Sequence, residues 1–577
     1  MKYYTTFVLS LIPLLSYGQG YENNMVFGYS GGSATPNNDA YGLNILSFTD
    51  GSLLLSDNQE SELEFNDTDA AISDKNGNLL FYFNGISIYH SAHQVMENGD
   101  TLNEYNSFGF DLPQGGIIIP YPEKNDKYIL FHATEDYVAP WGNANVGLYY
   151  SVIDINANNG LGKVIQRKIP IVIDTLEYGK LAVVQHANGR DWWLVTGESW
   201  KNTFYPVLID PGGVHLKDKQ AVGTQRVDGI GQVAFSPDGT KYIMFGAVEA
   251  AGYTRYLDIY NFDRCSGVFS NHEHFEVTIN TLGGGFAISP NSRWLYLSLN
   301  NGLYKFDLSA DPIKPTQELV ATYEPFNDPF PTKFLWSFLA PDNKIYIVTT
   351  SGSRTLHVIH KPDEPGTDCA FEQHGIRLPC HNARSLPTFA SYRLGPLDDS
   401  SCDTLGLDNV PVAWFRYEHD TLSPGTLEFT DLSYYEPASW SWDFGDGITS
   451  SERHPMHTYT NTGSYQVCLT VSNDKGSDTH CKTIQISTVS VVQAAWAESI
   501  KTGPSPFRER LFVSFGVNLP SPVFRLFDAT GRVALAQPVF TGVNEMDTAA
   551  LPPGFYVWEV TIGKERIKTG KAIKMSE

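Results

Sequence analysis

A hairpin pattern that recurs through the first two-thirds of the chain constrains its fold more than any other feature. In each of six copies, an apolar strand leads into a polar turn and then into a second strand rich in Tyr, Trp and Leu. The turn centres are separated by 49, 63, 50, 53 and 51 residues and lie at Asn76, Asn125, Asn188, Asp238, Asn291 and Asp342. A single hairpin exposes its apolar faces, so repeats of this size must stack on one another. The pattern therefore predicts an all-β chain of small stacked sheets.

Each period leaves room for two further strands, and a second hairpin is visible in some copies, as at 147–154. Four-stranded units repeated in this way are typical of a β-propeller. We predict about seven blades over residues 19–396, with six and eight blades left open. The last blade would combine N-terminal strands near 26–28 and 43–48 with a C-terminal strand at 386–392, because pairing of the two ends removes an exposed edge.

A second informative stretch lies beyond the repeats, after the alternating strand Ser439-Trp440-Ser441. It reads Trp442-Asp443-Phe444-Gly445-Asp446-Gly447. The two glycines permit the backbone angles of a tight turn, and the two aspartates can bond turn amides. Together with the tyrosine-containing strand at 463–473, the stretch resembles the PKD domain, an Ig-like β-sandwich, over residues 412–487. The resemblance implies a module that spaces, displays or binds rather than one that catalyses.

Two alternatives concern this module. Asp443 and Asp446 could ligate calcium together with loop carbonyls, but turn stabilisation accounts for the same residues without a metal. We therefore predict no cofactor, with calcium at these two residues as the alternative. The aromatic stripe of Trp440, Trp442 and Phe444 fits a buried core better than a platform for stacking sugars.

The repeat region carries a resemblance of its own. Ser236-Pro237-Asp238-Gly239 in the fourth copy resembles the repeats of WD40-like and TolB-type propellers. Segments at 71–74, 186–189, 262–267 and 385–389 resemble the propeller of a set of PKD proteins exported by the type IX system. This resemblance implies the architecture and an exported location, and it supplies no known reaction.

The two ends of the chain indicate export. Lys2 precedes a short apolar run that is followed by small residues, which is the pattern of a signal peptide over residues 1–18. The segment 504–577 combines short strands, Gly and Pro turns and a basic end. It resembles the C-terminal sorting domain of type IX secretion substrates, which implies a small β-sandwich read by the type IX machinery as partner. Residues 397–411 and 488–503 are the predicted linkers.

Bulk properties limit the partners. A net charge of −24 repels phosphate backbones, so nucleic acid is not an expected partner. No segment after the leader is apolar enough for a transmembrane span. We predict a secreted protein, extracellular or attached to the bacterial outer-membrane surface. Its propeller would bind an unknown surface protein or glycan, as in adhesion, with the PKD domain as spacer. The alternatives are a glycan- or peptide-processing hydrolase with its site at the propeller channel, and a structural subunit of an envelope complex.

Motifs for catalysis are mostly absent from the sequence. His272-Glu273-His274 resembles the zinc-protease motif only superficially, because its second His has the wrong spacing. We predict structural or surface roles for these histidines and for His90 and His93. Several acidic residues suit the carboxylate pair of a glycoside hydrolase, although nothing in the sequence places two of them together. They are Asp67, Asp69, Glu135, Asp136 and Glu198. We predict no catalytic residue among them.

Six cysteines in an exported chain favour disulfides over metal binding. Cys468 lies on the tyrosine-containing strand and Cys481 begins the next strand, so a hairpin at 473–476 brings them together. The other four cysteines are a predicted pair, Cys369 with Cys380, and two residues whose pairing stays open, Cys265 and Cys402.

Overall fold

A computed structural model describes residues 20–29, 42–58, 63, 65–104, 110–138, 142–226, 229–248, 254–277, 283–382, 384–420, 423, 425–486, 496, 499–516, 519, 522–562 and 565–575. The described chain is all-β, as predicted. Three short 3₁₀ turns interrupt the strands, at Asn158–Gly160, Lys314–Thr316 and Gly366–Cys369. Within the ranges given, no helix is long and apolar enough to span a membrane. The predicted signal peptide, and ten of the sixteen residues of the predicted linker 488–503, lie outside the described residues.

The chain divides into two compact units. The first unit comprises Met1–Trp414 with two turns, Leu432–Pro437 and Ser472–Ser477, and the second comprises Phe415–Asp431, Ala438–Val471 and Asp478–Glu577.

The first unit consists of seven successive small sheets. Sheet 1 contains β1 (Asn24–Gly28), β2 (Leu43–Ser47) and β3 (Leu54–Asn58). Sheet 2 contains β4 (Thr68–Ser73), β5 (Leu79–Phe83), β6 (Ile88–His90) and the distant β28 (Leu386–Pro387). Sheet 3 contains β7 (Gly116–Pro120), β8 (Lys127–Val138), β9 (Gly142–Asp154) and β10 (Lys163–Val172). Sheet 4 contains β11 (Ala182–Gln185), β12 (Trp192–Gly197), β13 (Thr203–Asp210), β14 (Gly213–Leu216) and β15 (Gln220–Ala221).

Sheets 5 to 7 repeat the same order, with each strand antiparallel to the next. Sheet 5 contains β16 (Ile230–Phe235), β17 (Lys241–Val248), β18 (Thr254–Asp263) and β19 (Val268–Glu276). Sheet 6 contains β20 (Gly285–Ile288), β21 (Trp294–Leu299), β22 (Gly302–Asp307) and β23 (Glu318–Thr322). Sheet 7 contains β24 (Phe334–Leu339), β25 (Ile345–Thr349), β26 (Ser353–Ile359) and β27 (Phe371–Asn382).

Each predicted turn centre lies between the first two strands of a sheet, from Asn76 in sheet 2 to Asp342 in sheet 7. The turn around Asp238 shows why these residues recur. The Asp238 carboxylate accepts hydrogen bonds from the N–H of Thr240 at 3.0 Å and from the Ser236 hydroxyl at 2.5 Å. Gly239 has a φ of +71°, which favours glycine. Local turn chemistry thus fixes the hairpin of each repeat.

The C-terminal strand pairs differently from the prediction. β28 joins sheet 2, where it runs parallel to β4 with Leu386 opposite Thr68. The expectation that it would complete a blade with the strands at 26–28 and 43–48 is therefore wrong. Those strands form sheet 1 with β3, because β2 already pairs with both of its neighbours in an antiparallel meander.

Neighbouring sheets share apolar cores, and this holds along the whole series. One core joins sheets 2, 3 and 4, and further cores join 4 to 5, 5 to 6, 6 to 7 and 1 to 2. Sheet 7 also shares a core with sheet 1, where Phe27 and Phe48 lie with Trp336 and Tyr346. Burial of both faces of each sheet is the condition that the repeat pattern imposes.

The inner segment, residues 386–397, runs past the first strands of several sheets. It begins beside the start of β4 and reaches the turn of sheet 4. Its N–H groups and one tyrosine hydroxyl donate to carbonyl oxygens of sheets 2, 3 and 4, namely those of Asp69, Ile118, Val183 and Ala187. The inner segment therefore occupies space between the first strands.

Two buried glutamines bond across the sheets. Gln114 accepts from the N–H of Val233 at 2.7 Å and donates to its carbonyl at 2.9 Å, which joins sheet 3 to sheet 5. Gln232 donates to the Ser337 carbonyl at 2.6 Å and accepts from the Phe286 N–H at 3.0 Å. Each side-chain amide thus satisfies backbone groups of strands that belong to other sheets.

The second unit contains two groups of sheets. The PKD module has two sheets, with strands given in the order in which they pair. One sheet consists of β29 (Phe415–His419), β30 (Thr426–Asp431) and β33 (Met456–Thr458). The other consists of β32 (Thr449–Ser450), β31 (Ser439–Asp443), β34 (Gly463–Ser472) and β35 (Ser477–Ile486). The C-terminal region has the sheet β36 (Lys501–Gly503), β37 (Arg510–Phe515), β40 (Gly542–Asp547) and the sheet β39 (Val533–Pro538), β38 (Pro522–Phe527), β41 (Gly554–Ile562), β42 (Glu565–Lys574). Its core draws on residues from Trp496 to Ala572 alone.

The disulfides match the prediction at one pair and correct it at another. Cys468 bonds to Cys481, as the hairpin argument predicts, and Cys265 bonds to Cys402. The predicted Cys369–Cys380 bond is wrong, since both residues are buried free cysteines. Cys369 precedes β27 and Cys380 lies near the end of that strand. The Cys369 carbonyl accepts from the N–H of Lys361 just beyond one end of β26, whereas Asn382, two residues after Cys380, pairs with Ser353 at the other end. The length of β26, at roughly 3.3 Å per residue, therefore separates the two cysteines, which is too far for a disulfide.

Candidate functional sites

The PKD hexapeptide forms the tight turn that its glycines predict. Gly445 and Gly447 have φ values of +78° and +90°. The Asp443 carboxylate accepts from the N–H of Gly445 at 2.9 Å, and the Asp446 carboxylate accepts from Ile448 at 3.1 Å. Both aspartates thus bond turn amides, as predicted, and calcium ligation by them stays the untested alternative.

The aromatic stripe divides between core and surface. Trp442 and Phe444 are buried, whereas Trp440 is half-buried with the guanidinium of Arg453 at 5.4 Å from its ring. The Trp442 indole N–H donates to the Glu452 carbonyl at 2.9 Å. A core role is therefore observed for two of the three rings.

Replacing Cys468 by Ser is expected to destabilise the PKD module by about 3 kcal/mol, because the bond to Cys481 constrains a short loop in the unfolded chain. Hydrogen exchange of β34 measures this loss. The denatured wild-type chain should show the two thiols of Cys369 and Cys380, and the variant a third from Cys481. Cys369→Ser is the control, since it removes a thiol without cutting a bond. An unchanged thiol count in the Cys468 variant contradicts the pairing.

Two of the predicted carboxylates, Asp67 and Asp69, lie at the beginning of β4. We define the entry cluster as Asp67, Asp69, Asp111, Tyr178 and Arg384. These residues lie at or near the N-terminal ends of β4, β7, β11 and β28. Atoms of the Arg384 guanidinium lie 3.3 Å from each Asp67 carboxylate oxygen. Four separate stretches of chain therefore meet at one end of the first strands.

Burial dominates the electrostatics of the entry cluster. It raises the pKa of Asp67 to about 7, against the lowering effect of Arg384 and with a further rise from Asp111. Burial also raises the pKa of Asp69 well above its usual range. In the described part of the chain, neither carboxylate oxygen of Asp69 has a hydrogen-bond partner. Asp67 is thus a buried carboxyl with a pKa near neutral pH, and Asp69 is a buried carboxyl whose pKa burial alone raises.

Tyr178 belongs to the same environment. Burial raises the pKa of its hydroxyl, and the carboxylates of Glu135, Asp111 and Asp67 raise it further. Glu135 is therefore an electrostatic neighbour of the cluster. The sequence suggested the carboxylates but gave no sign of Tyr178 or Arg384. Tyr178 belongs to the segment before β11 of sheet 4, and the long-range pairing of β28 with β4 brings Arg384 to sheet 2.

The other predicted acidic residues lie in different settings. Asp136 is exposed on β8. Glu198 follows β12, where it forms ion pairs with Lys201 and, at 3.6 Å, with Lys219. A charged partner on each side of Glu198 accounts for its burial without a catalytic role.

The histidines of the sequence motifs also have partners. Nδ1 of His93 lies 3.1 Å from the Tyr82 hydroxyl, and Nδ1 of His90 accepts from the N–H of Ala92 at 3.1 Å. His272 and His274 both face Asp258 on the neighbouring strand β18. The sequence motif pointed to these two rings but missed their carboxylate, which strand pairing supplies.

Comparison with known proteins identifies one domain of the chain. Residues 419–488 match the family model of the PKD domain. A stretch of 95 residues is 43% identical to the pre-pro-metalloprotease PrtV of Vibrio cholerae serotype O1 (strain M66-2), covering 16% of this chain and 10% of that protein. A stretch of 123 residues is 46% identical to the collagenase ColQ1 of Bacillus cereus (strain Q1), covering 19% and 12%.

A solved structure is similar over the same region. The crystal structure of the PKD1 domain from Vibrio cholerae metalloprotease PrtV has 40% sequence identity, covers 13% of this chain and 95% of that chain, and gives a TM-score of 0.13. The chain spans about a tenth of the length of the curated relatives it matches. Residues 419–488 therefore form a PKD domain, in agreement with the module predicted at 412–487.

Proposed function

We propose that this is a secreted or cell-surface binding protein without enzymatic activity. In this proposal, the seven sheets are the blades of a propeller that binds a ligand, and the PKD domain spaces or displays it. Residues 504–577 act as a sorting domain for type IX export. The PKD domain supports an extracellular location, since the relatives that share it include a pre-pro-metalloprotease and a collagenase.

Two features support the propeller. The seven sheets share cores in series, and the last shares a core with the first. In addition, β28 brings the C-terminal end of the repeat region to sheet 2, which lies near its N-terminal end. Both features fit a ring, in which every blade is covered on both faces.

The entry cluster is the observation that carries the binding function. Loops and strand ends on a rigid β scaffold commonly hold binding residues. Here Asp67, Asp69, Tyr178 and Arg384 bring hydrogen-bond donors and acceptors of both charges to one end of the first strands. The inner segment occupies the space between those strands. The ligand is therefore expected to bind at the end of the strands where the entry cluster lies, and not between the sheets.

The chemistry of the entry cluster favours a glycan or a basic protein surface. Sugar hydroxyl groups both donate and accept, and they match a carboxyl pair beside a guanidinium. A net charge of −24 attracts basic surfaces over longer distances. The ligand is thus expected to be hydroxyl-rich or cationic.

Asp67→Asn in the full mature chain is expected to weaken ligand binding at least about tenfold, because a charge-assisted hydrogen bond is lost. Glycan and protein arrays first identify the ligand, and titration calorimetry then compares the variants. Asp100→Asn is the matched control, since Asp100 also pairs with an arginine, Arg167, but has an exposed side chain. Equal loss in both variants, or none in either, contradicts the proposed site.

The hydrolase alternative rests on the same carboxyl pair. A buried carboxyl with a pKa of about 7, two residues from a second carboxyl whose pKa burial also raises, has the raised pKa that the acid of a glycosidase needs. A panel of fluorogenic glycoside and peptide substrates tests it on the same proteins. Turnover by the wild type that Asp67→Asn abolishes would replace the binding function with the hydrolase.

A further inference from the structure

Strand pairing brings two histidines and one aspartate together on sheet 5. Asp258 on β18 lies directly opposite His274 on β19. Alternate residues of a strand share a face, so His272 lies on the same side as His274 and faces the same carboxylate. A β-bulge adjoins this site, where the register shifts between Ile259 and Asn261 and Asn271 has a φ of +49°. Bulges are frequent beside functional sites.

The three side chains meet closely at one oxygen. Nε2 of His272 lies 2.6 Å from Oδ1 of Asp258, and Nδ1 of His274 lies 2.8 Å from the same atom. One ligand atom from each residue falls within 4.8 Å of the others. Oδ2 of Asp258 is buried and has no hydrogen-bond partner in the described part of the chain.

Packing holds two of the three groups in place. The Asp258 side chain has no exposed surface, and the ring of His272 is stacked on Tyr260 at 4.5 Å between centroids. The backbone at Gly223 lies against the other edge of that ring, where a Cβ would come within 2.2 Å of Nδ1. His274 is different, because 35% of its side chain is exposed. One ligand can thus adjust while the other two are already oriented.

We propose that Asp258, His272 and His274 bind a divalent transition metal of the Zn²⁺ type, with the remaining coordination position open to solvent. Imidazole nitrogens with a carboxylate are a common donor set for Zn²⁺, and three protein ligands are typical of open sites. Each imidazole can carry its proton on its other nitrogen, which frees the facing lone pair for the metal.

The required movement is small. Zn²⁺ bonds of about 2.0–2.2 Å in a tetrahedron place neighbouring ligand atoms roughly 3.3 Å apart. The present nitrogen-to-oxygen distances are 2.6 and 2.8 Å. Both nitrogens therefore have to move away from Oδ1 of Asp258, the half-exposed His274 ring by about 0.5 Å and the packed His272 ring by about 0.7 Å. The unpartnered Oδ2 supplies a second carboxylate oxygen to the ion.

The test uses the full mature chain after removal of metals with a chelator. Calorimetric titration with Zn²⁺ is expected to show one site, and Co²⁺ is expected to give the visible absorption bands of a low-symmetry cobalt site. His274→Gln should weaken Zn²⁺ binding at least about tenfold, since it removes a direct ligand. Because His274 is half-exposed, this variant should keep the fold, which circular dichroism checks.

His215→Gln is the matched control. His215 lies 3.0 Å from Asp210 and its side chain is 42% exposed, so it forms a similar His–Asp pair that lacks a second histidine. This variant should bind Zn²⁺ as the wild type does. No binding by the wild type, or equal binding by the His274 variant, overturns the proposal. The Co²⁺ spectrum of the wild type decides the matter even if the His274 variant unfolds. None of these outcomes depends on the ligand of the entry cluster.

Discussion

Trp442→Ala is expected to destabilise the PKD domain by about 3–5 kcal/mol, the range for removing a large buried aromatic side chain. The Trp442 ring lies between the two sheets, at 5.1 Å from the ring of Phe415 and 5.4 Å from that of Phe429. Alanine would leave a cavity at the centre of the sandwich. It would also remove the indole donor to the Glu452 carbonyl, so that this oxygen loses a partner.

Hydrogen exchange is the suitable measurement, because one unfolding free energy does not describe a chain of several domains. Amides of β34 should lose protection by about two orders of magnitude or more, at 1.36 kcal/mol for each tenfold change. Trp440→Ala is the matched control on the same strand. Its ring is half-buried beside Arg453, so its loss should cost only about 1 kcal/mol. Equal exchange in the two variants would refute the assignment of Trp442 to the core.

Deletion of residues 504–577 is expected to abolish export, if the proposed sorting role is right. Among the described residues, the core of the C-terminal region begins at Trp496, so the deletion removes no residue from the other described cores. The truncated protein should therefore fold and accumulate inside the cell. Protease shaving of intact cells, followed by immunoblotting, measures the surface fraction.

A substitution within the same region separates sorting from simple loss of the protein. Arg510→Ala removes an exposed ion pair with Glu545 and should leave the core and export unchanged. A truncated protein that is soluble and folded but is not exported supports the sorting role of residues 504–577. Surface display of the truncated chain at the wild-type level would disprove it.

Local rules explain most of what could be predicted about the fold. The turns at Asn188, Asp238 and Asn291 follow from side chains that bond their own turn amides, so their positions can be read from the residues. The Cys468–Cys481 bond is also local, since the two residues lie on adjacent strands of one hairpin. The glycines of the PKD turn belong to the same class.

The features that escaped prediction depend on register or on distant parts of the chain. β28 pairs with β4 through two residue pairs, too few for a sequence signal. Cys265 and Cys402 are 137 residues apart. The carboxylate of Asp258 reaches His272 and His274 only through the register of β18 with β19, which hydrophobic periodicity does not reveal. Arg384 lies beside Asp67 because the pairing of β28 with β4 brings the residues just before β28 to the start of β4.

The late position of the inner segment affects the order in which the chain can fold. Sheet 2 begins at residue 68 but gains its last strand only when residues 386–387 have been synthesised. Until then the edge of β4 has unpaired backbone groups, and such edges invite association between nascent chains. A ribosome that stalls before residue 384 would release a repeat array whose second sheet still lacks one strand. Chaperone protection of this protein should therefore extend over nearly the whole synthesis of the array.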